Sequence, residues 1–423
     1  MTKYFSLILI PVFVIFSSCC KKKEAQVVEV EIIQEADVWE HDYIEDDDYD
    51  IIYENSSFAF KLFHQINDPK KNTIFSPFSI SSALAMTYAG AKTETEREMS
   101  KTLHFSLSQP QVHKGFKNLM NNLYSIDPDA GTELKIANSL WAQEKYGILD
   151  SYYKVCQKYY GSGVKYLDFK NKPEKSRIQI NDWVEENTND KITNLIPENA
   201  ISDLTRLVLT NAIWFYGKWM IPFDKKHTET APYYLENGSS VQAKFMNHPK
   251  ERFLHYKDSS VQIVELPYEG KKNAMMVFLP AEGKSINDFG KELNYEYFNA
   301  HKRLMKASAM EVLLPRFSFT YSISLEKHLS DMGMPLAFSD LADFSGMTGK
   351  RDLKIDKIIH KAFVEVNEEG TEAAGATAVI MVERTSFPPE KMTFNANRPF
   401  AFVIYDKENG SILFIGKVMN PVK

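Results

Sequence analysis

Cysteine is scarce in this chain, with three residues in 423: Cys19, Cys20 and Cys156. Three thiols are too few to build a disulfide framework. The fold must therefore be held together by a buried apolar core. Cys156 stands in a tyrosine-rich stretch, residues 152–160. A small buried hydrophobe is expected there rather than a reactive nucleophile, and we assign Cys156 no function.

An excess of positive charge is also missing. The formal net charge is -6, and no long basic run appears in the body of the chain. Because nucleic-acid-binding proteins present a basic surface to phosphates, we expect no nucleic-acid partner. The composition, 44% hydrophobic and 25% charged, is typical of globular proteins. No Gly-, Ser- or Pro-rich linker divides the chain after about residue 55, which favours one large domain.

Motifs for catalysis and for metal or cofactor binding are absent from the sequence. The histidine pairs His104/His113 and His248/His255 have spacings that match no zinc signature. The chain has no Gly-x-Ser-x-Gly elbow, no phosphate-binding glycine loop and no strand-linked dinucleotide fingerprint. We therefore expect no metal, no cofactor and no enzyme activity. An enzyme is the most distant alternative, and a function that resides in a loop is favoured.

The first residues are typical of an export signal. Lys3 supplies a positive charge, and the apolar run Phe5–Phe16 is too short to span a bilayer comfortably. Small residues then precede Cys19 and Cys20, as at the site where bacterial lipoproteins are cleaved and acylated. We predict a signal peptide over residues 1–19 with Cys19 as the lipidated residue, and Cys20 as the neighbouring candidate. The protein is then exported and anchored to a membrane in the cell envelope or at the cell surface. A plain signal peptide, which leaves the protein extracellular, and an uncleaved anchor are the alternatives.

Residues 20–55 are predicted to form an acidic, flexible tether, since acidic residues cluster between Glu45 and Asp50 with little apolar periodicity. A calcium site is not expected there, because the spacing lacks the alternating oxygen ligands and the glycine of a calcium loop. Residues 56–423 are predicted to form a single folded domain.

Helical spacing of apolar residues comes first in this domain and strand-like runs come later. The predicted helices span residues 57–66, 77–88, 112–124 and 175–188. The predicted strands span residues 134–141, 205–214, 260–266, 274–279, 310–315, 362–367 and 401–405. Several strands are nearly continuous apolar runs, which indicates burial on both faces. The fold class predicted is α+β, with large central β-sheets covered by helices.

One segment near the C-terminus has an unusual composition. After the strand-like residues 362–367, the stretch Glu368–Thr377 consists mostly of small residues, and residues 373–382 contain neither proline nor charge. Such a segment can join a sheet as a new strand with little steric obstruction. At a period of two, Thr371, Ala373, Gly375 and Thr377 share one face, whereas Glu372 lies on the other.

This segment resembles the hinge of inhibitory serpins, and Phe394–Phe400 resembles the C-terminal signature of that family. The resemblance covers essentially everything from about residue 55 to the end. It implies the serpin fold, with an exposed reactive-centre loop near the C-terminus. The hinge residues it implies are Glu369, Gly370, Thr371, Glu372, Ala373, Ala374, Gly375, Ala376 and Thr377. The residues it implies in control of sheet opening are Ser76, Ser79, Asn211, His360 and Trp219.

The resemblance also implies a mechanism, in which a protease cuts the loop and is trapped when the loop inserts into the sheet. The family places the attacked residue fourteen positions after the hinge glycine, which here is Arg384, so the reactive bond is Arg384-Thr385. An arginine fits the acidic specificity pocket of trypsin-like serine proteases. We therefore expect the protein to be a monomer and its partner to be a trypsin-like serine protease. A non-inhibitory serpin that acts as a binding or chaperone module is the alternative.

Some serpins bind acidic polysaccharides through a basic helix. The corresponding stretch here, Val112–Tyr124, carries only Lys114 and Lys117 as clear positive charges. We therefore expect no strong polysaccharide cofactor.

Overall fold

A computed structural model describes residues 46–124, 131–161, 163–371 and 392–423. All of them belong to one compact unit. The hinge residues 372–377, the reactive bond and Cys19 lie outside the described residues.

The helices of the described residues are α1 (Asp46–Ile66), α2 (Pro77–Tyr88), α3 (Thr93–Leu103), α4 (Gln109–Tyr124), α5 (Asp150–Tyr160), α6 (Pro173–Asn187), α7 (Ile286–Glu292), α8 (Tyr295–Leu304), α9 (Glu326–Met332) and α10 (Ser345–Thr348). The strands are β1 (Thr73–Phe75), β2 (Thr132–Gln143), β3 (Val164–Leu167), β4 (Leu207–Lys218), β5 (Glu229–Tyr234), β6 (Ser240–Lys257), β7 (Val261–Pro267), β8 (Asn273–Pro280), β9 (Lys306–Pro315), β10 (Phe317–Ser324), β11 (Lys357–Val366), β12 (Gly370–Thr371), β13 (Thr393–Asn395), β14 (Phe400–Asp406) and β15 (Ile412–Val418).

Helix α1 begins at Asp46, earlier than the expected end of the tether at residue 55. Apolar residues in the first half of the helix explain the difference. Ile51 and Ile52 are buried in the same apolar core as Phe58. The acidic stretch therefore continues into a packed helix.

Helix α2 is the most deeply placed helix, because all twelve of its residues are buried. Its first turn is capped by Ser76, whose side chain accepts a hydrogen bond from the Ser79 amide, and Pro77 occupies the first helical position. The cap fixes Ser76 and Ser79 at the start of the helix, beneath the sheet described next.

Six strands form the central sheet, in the order β10-β11-β12-β4-β2-β3. Strand β12 consists of only two residues, and β11 and β4 pair directly with each other over the rest of their shared length. A second sheet follows the order β1-β15-β14-β8-β7-β6-β9-β13, with β5 paired to β6. The two sheets share one core, in which Phe215 of β4 contacts Phe414 of β15 with ring centroids 6.0 Å apart.

Helix α6 and the loop after it cover the outer face of the central sheet through a separate apolar cluster. Ile180 and Val184 of the helix belong to this cluster together with Ala212 of β4 and Ile359 of β11. The helix therefore packs over the line along which β4 and β11 meet. This arrangement of helices around large sheets confirms the predicted α+β class.

Candidate functional site

The candidate site follows the seam between two parallel strands, β4 and β11. Direct pairing runs from Lys357↔Val208 at one end to Phe363↔Trp214 at the other. Beyond Phe363 and Trp214 the two strands separate, and β12 lies between them. We call the end that holds β12 the upper end and the end at Lys357 the lower end.

Thr371 is the residue that lies within the opening of the seam. It pairs antiparallel with Gly217 of β4 and antiparallel with Val366 of β11. Its side chain is buried, and its hydroxyl lies 2.7 Å from the hydroxyl of Tyr268. The side chain of Thr371 therefore points to the inner face of the sheet.

Gly370 stands where the chain turns into the sheet and approaches β4 closely. A Cβ at this position would lie 2.0 Å from the carbonyl oxygen of Gly217 and 2.7 Å from the Cα of Lys218. Both neighbours are backbone atoms that cannot move aside cheaply. Only glycine fits at this position without a shift of the β4 backbone.

Trp219 holds the segment that leads into β12. Its amide donates to the carbonyl of Glu369 and its indole donates to the carbonyl of Asn367, both at 2.9 Å. The indole stacks on Tyr268 with ring centroids 4.7 Å apart. Trp219 and Tyr268 thus form one aromatic support beneath the hinge.

Two ion pairs fix the hinge from the sides. The buried carboxylate of Glu368 accepts hydrogen bonds from Arg316, at 2.7 Å from Nε, and from the Thr228 hydroxyl, at 2.5 Å. Burial opposes ionisation, but these hydrogen bonds outweigh it and hold the pKa of Glu368 below its usual range. Glu369 pairs with Lys225 at 2.6 Å. We call these contacts, with Trp219 and Tyr268, the hinge clamp.

A cleft of about 450 Å³ opens beside the hinge clamp. It is lined by Lys225, Arg316, residues 365–369 and the C-terminal residues 421–423, among others. The clamp is therefore reachable from solvent on this side.

Farther down the seam, a buried cluster of polar side chains lies between the sheet and α2. Asn138 of β2 connects it: its amide nitrogen donates to the Ser79 carbonyl at 3.0 Å and to the Ser82 hydroxyl at 2.7 Å. Its side-chain oxygen accepts from the Ser79 hydroxyl at 3.0 Å. Asn211 of β4 donates to the same Ser79 hydroxyl at 2.7 Å. Ser76, Ser79, Ser82, Asn138, Asn211 and His360 together form what we call the polar cluster.

His360 closes the polar cluster from β11. Its Nε2 accepts from the Ser76 amide at 3.3 Å, so Nδ1 carries the proton and donates to the side-chain oxygen of Asn211. Asn211 is its direct register partner across the seam. Burial lowers the pKa of His360 to about 3, so the ring is neutral at physiological pH.

The structure brings together Ser76, Ser79, Asn211 and His360, four residues singled out from the sequence. Trp219 lies apart from them, at the hinge clamp with Glu369, Gly370 and Thr371. Asn138, Arg316 and Tyr268 were not identified from the sequence. Asn138 had a usable signal, because it is a polar residue inside a predicted strand, residues 134–141, of a domain expected to have large buried sheets.

The described residues hold no group of His, Cys, Asp and Glu arranged to bind a metal ion. Two of the four histidines named above have hydrogen-bond partners of their own: His113 lies 2.6 Å from the Tyr160 hydroxyl, and His248 lies 3.0 Å from the Ile221 carbonyl. Cys156 is buried. Within the described part of the chain, no helix has the length and apolar character needed to cross a membrane.

Comparison with known proteins agrees with this geometry. The family described as "Serpin (serine protease inhibitor)" matches residues 53–421. Human Serpin B4 is 38% identical over 386 residues, which cover 87% of this chain and 98% of that protein. Leukocyte elastase inhibitor A of Rattus norvegicus is 38% identical over 377 residues, again 87% and 98%. A crystal structure of human thyroxine-binding globulin in complex with thyroxine superposes with a TM-score of 0.80 at 31% identity, covering 89% of this chain and 99% of that one.

Proposed function

This chain belongs to the serpin family, and on that premise we propose that it is a suicide inhibitor of trypsin-like serine proteases. A protease cuts the loop at Arg384-Thr385, the cut loop inserts between β4 and β11, and the protease is carried along while still bound through its acyl bond. The observation that carries the proposal is the position of Thr371, already paired with both strands at the open end of the seam.

The two pairings of Thr371 agree with each other. Its partners are Gly217 on β4 and Val366 on β11. The number of residues that separates these two is the same as in each direct pair of the seam, such as Trp214 and Phe363. A strand that continues from Thr371 can therefore pair with β4 and β11 at once without a shift of either strand. In this register, residues 374–380 would separate the direct pairs from Phe363↔Trp214 to Lys357↔Val208.

Thr377 would then lie between Asn211 and His360. It follows Thr371 by an even number of residues, so its side chain points to the same inner face and meets the polar cluster. The bond between His360 and Asn211 must break, and the threonine hydroxyl can both donate and accept in its place. A buried polar group is costly without a partner, so this replacement makes insertion compatible with the polar cluster.

The hinge residues that alternate with those on the inner face would face α6. In the same register, Ala374, Ala376 and Ala378 point to the outer face of the sheet, where α6 packs on Ala212 and Ile359. Alanine side chains need little room beneath a packed helix. The sequence of the hinge thus suits both faces of the seam.

Insertion replaces one interface between parallel strands by two interfaces between antiparallel strands. More backbone hydrogen bonds form than are broken, and antiparallel pairs are slightly more stable per residue. The uncut loop is held back from this state because its far end is tied to β13, so it inserts slowly if at all before the cut. Cleavage releases that constraint, which is how a cut can drive a conformational change.

The proposed target class rests on Arg384. A trypsin-like specificity pocket presents a carboxylate that an arginine can bind through two hydrogen bonds. Replacement of Arg384 by alanine is therefore expected to abolish recognition by trypsin while leaving the folded domain unchanged.

We further propose that residues 1–19 are an export signal and that acylation of Cys19 tethers the inhibitor to a membrane. The support is the apolar run Phe5–Phe16 followed by small residues and cysteine. Expression of the full chain in a bacterial host with a labelled fatty acid tests this: label is expected on the wild type, and its retention in a Cys19→Ala/Cys20→Ala variant would contradict the assignment.

A second candidate function is that of a non-inhibitory carrier. The likeness to thyroxine-binding globulin favours it, because that structure is a complex with thyroxine. The small, uncharged residues 373–382 favour the inhibitor instead, since a carrier has no need of a segment that can insert.

Incubation of the domain from residue 46 onward with trypsin, followed by denaturing electrophoresis and mass spectrometry, tests the proposal. We expect a covalent complex that survives denaturation and a released peptide that begins at Thr385. Clean cleavage without any complex, with trypsin and with serine proteases of other specificity, would contradict inhibition and favour the carrier.

A further inference from the structure

The lower end of the seam is closed by a side chain that bridges the two strands. Asp356 immediately precedes β11, and its Oδ2 accepts hydrogen bonds from the amides of Arg206 and Leu207, at 2.8 Å and 3.0 Å. The amide of Asp356 itself donates to the Leu207 carbonyl at 3.3 Å. One residue thus makes three contacts with the start of β4.

These contacts lie on the path that the cut loop must take. In the register set by Thr371, residue 380 would separate Lys357 from Val208, the last direct pair. The next residue, Met381, would lie between Asp356 and Leu207. Neighbouring strands in a sheet are about 4.8 Å apart, so a new strand moves β4 and β11 apart by that distance. The hydrogen bonds that the amides of Arg206 and Leu207 donate to Asp356, at 2.8 Å and 3.0 Å, cannot survive this separation.

We propose that Asp356 is a clasp that holds the lower end of the seam closed and slows the last stage of loop insertion. This inference rests on the proposed function and deepens it. The upper end of the seam is already open at Thr371, whereas the lower end opens only when the Asp356 carboxylate releases both amides. Release exposes a charged acceptor and two donors at once, and a carboxylate accepts stronger hydrogen bonds than a neutral group does.

The clasp affects the competition between two outcomes: the protease is trapped, or the inhibitor is cut and the protease is released. While the clasp is closed, the loop stops short of its last residues, and the attached protease has time to hydrolyse the acyl bond and leave. The clasp therefore sets the stoichiometry of inhibition, the number of inhibitor molecules used for each protease trapped. In the resting protein it also opposes insertion of the uncut loop.

A cleft of about 240 Å³ adjoins the clasp and supplies a matched control. Asp340 and Asp356 both line it. Asp340 pairs with Lys354 at 2.6 Å and is 90% exposed, and its described contacts do not reach β4. Asp340→Asn removes a carboxylate from the same cleft without touching the seam. Asp356→Asn removes the negative charge that accepts the two hydrogen bonds, and Asp356→Ser shortens the side chain.

Three measurements test the clasp on wild type and variants. Hydrogen exchange of a peptide that contains Arg206 and Leu207 reports the clasp directly. The rate at which the uncut protein becomes resistant to trypsin on warming reports insertion, and the stoichiometry of inhibition reports its consequence. For both Asp356 variants we expect about tenfold faster hydrogen exchange of this peptide. We also expect about tenfold faster conversion of the uncut protein, which is equivalent to a barrier lower by about 1.4 kcal/mol. The stoichiometry of inhibition should move toward one. Asp340→Asn should behave as the wild type does.

Unchanged exchange in both Asp356 variants would overturn the clasp itself, and faster exchange with unchanged conversion would overturn its role in insertion. Failure of the proposed function has a different signature, because the wild type would then form no covalent complex with any serine protease. Hydrogen exchange reports the clasp in either case.

Discussion

His360 of β11 donates a hydrogen bond to the side chain of Asn211, its direct partner across the seam on β4. The bond joins the two strands at the level where Thr377 would insert. Both groups are neutral and fully buried. The seam is thus closed at its centre by a contact that an incoming hydroxyl can replace, whereas at its open upper end the charged hinge clamp holds the segment that leads into β12.

Replacement of His360 by alanine should destabilise the native state and speed conversion to the inserted form. The change leaves the Ser76 amide and the Asn211 oxygen buried without their partner, which costs about 1–3 kcal/mol for each unsatisfied group. Chemical denaturation and the rate of conversion on warming measure the two effects. The exposed His227→Ala serves as control, and an equal loss of stability in both variants would argue against the polar cluster.

The stability of the native state should fall as the pH drops below about 6.5. The pKa of His360 is about 3 in the folded protein, against about 6.5 for an unfolded histidine. Between these values the unfolded chain binds a proton that the folded chain does not, so the stabilisation present above pH 6.5 is lost progressively toward pH 3. The contribution of His360 amounts to about 2 kcal/mol between pH 6.5 and pH 4.5.

His113 and His248 act in the same direction, because burial lowers the pKa of each to about 4. The contribution of His360 is therefore the difference in unfolding free energy between the wild type and His360→Gln, followed over this pH range. Parallel curves for the two proteins would show that His360 does not titrate as described.

Glu368→Gln should loosen the hinge clamp. The variant keeps the shape of the side chain but leaves the Arg316 guanidinium, 35% exposed, without its anionic partner. A charge-assisted hydrogen bond to a buried group contributes about 1.5–3 kcal/mol, and solvent around Arg316 reduces this to about 1–2 kcal/mol of native stability. Thermal unfolding measures the loss. Glu365→Gln, near the end of β11 and beside the same cleft, should cost less than half as much, and equal losses would contradict the prediction.

Tyr268→Phe and Thr371→Val should each weaken the first docked residue of the hinge. Their hydroxyls lie 2.7 Å apart and are both buried, so the pair is expected to couple by about 1 kcal/mol. A double-mutant cycle on the native stability gives this coupling directly. Additive effects of the two substitutions would show that the hydroxyls do not stabilise each other.

The fold was largely predictable from the sequence where apolar spacing was clear. Helix α2 spans the predicted residues 77–88, and β8 differs from the prediction by one residue at each end. Strand β6 was not predicted, because its sequence has neither a continuous apolar run nor a regular alternation of buried and exposed residues. The start of α1 was missed since an acidic stretch before Ile51 has the composition of a tether as well as that of a helix N-terminus.

The site was predictable in part, through residue types that recur in the family. Ser76, Ser79, Asn211 and His360 come together as one network. Their partner Asn138 is brought to them only by the pairing of β2 with β4, in which Asn138 lies opposite Asn211. Asp356 and its contacts with β4 depend on register alone, because nothing in the sequence near residue 356 indicates that residues 206 and 207 are its neighbours. Contacts between distant segments require the three-dimensional structure.

The most direct test of the account is the unfolding temperature before and after the loop is cut by a protease that is not trapped, compared between the wild type and Thr377→Arg. An arginine at position 377 would have to enter the polar cluster beside His360, whereas in the uncut protein it leaves the described contacts of the cluster unchanged. Insertion of the cut loop between β4 and β11 predicts a large rise in the unfolding temperature of the cut wild type and little or none for cut Thr377→Arg. An unchanged unfolding temperature for the cut wild type, or the same rise in both proteins, would contradict insertion in the register derived from Thr371.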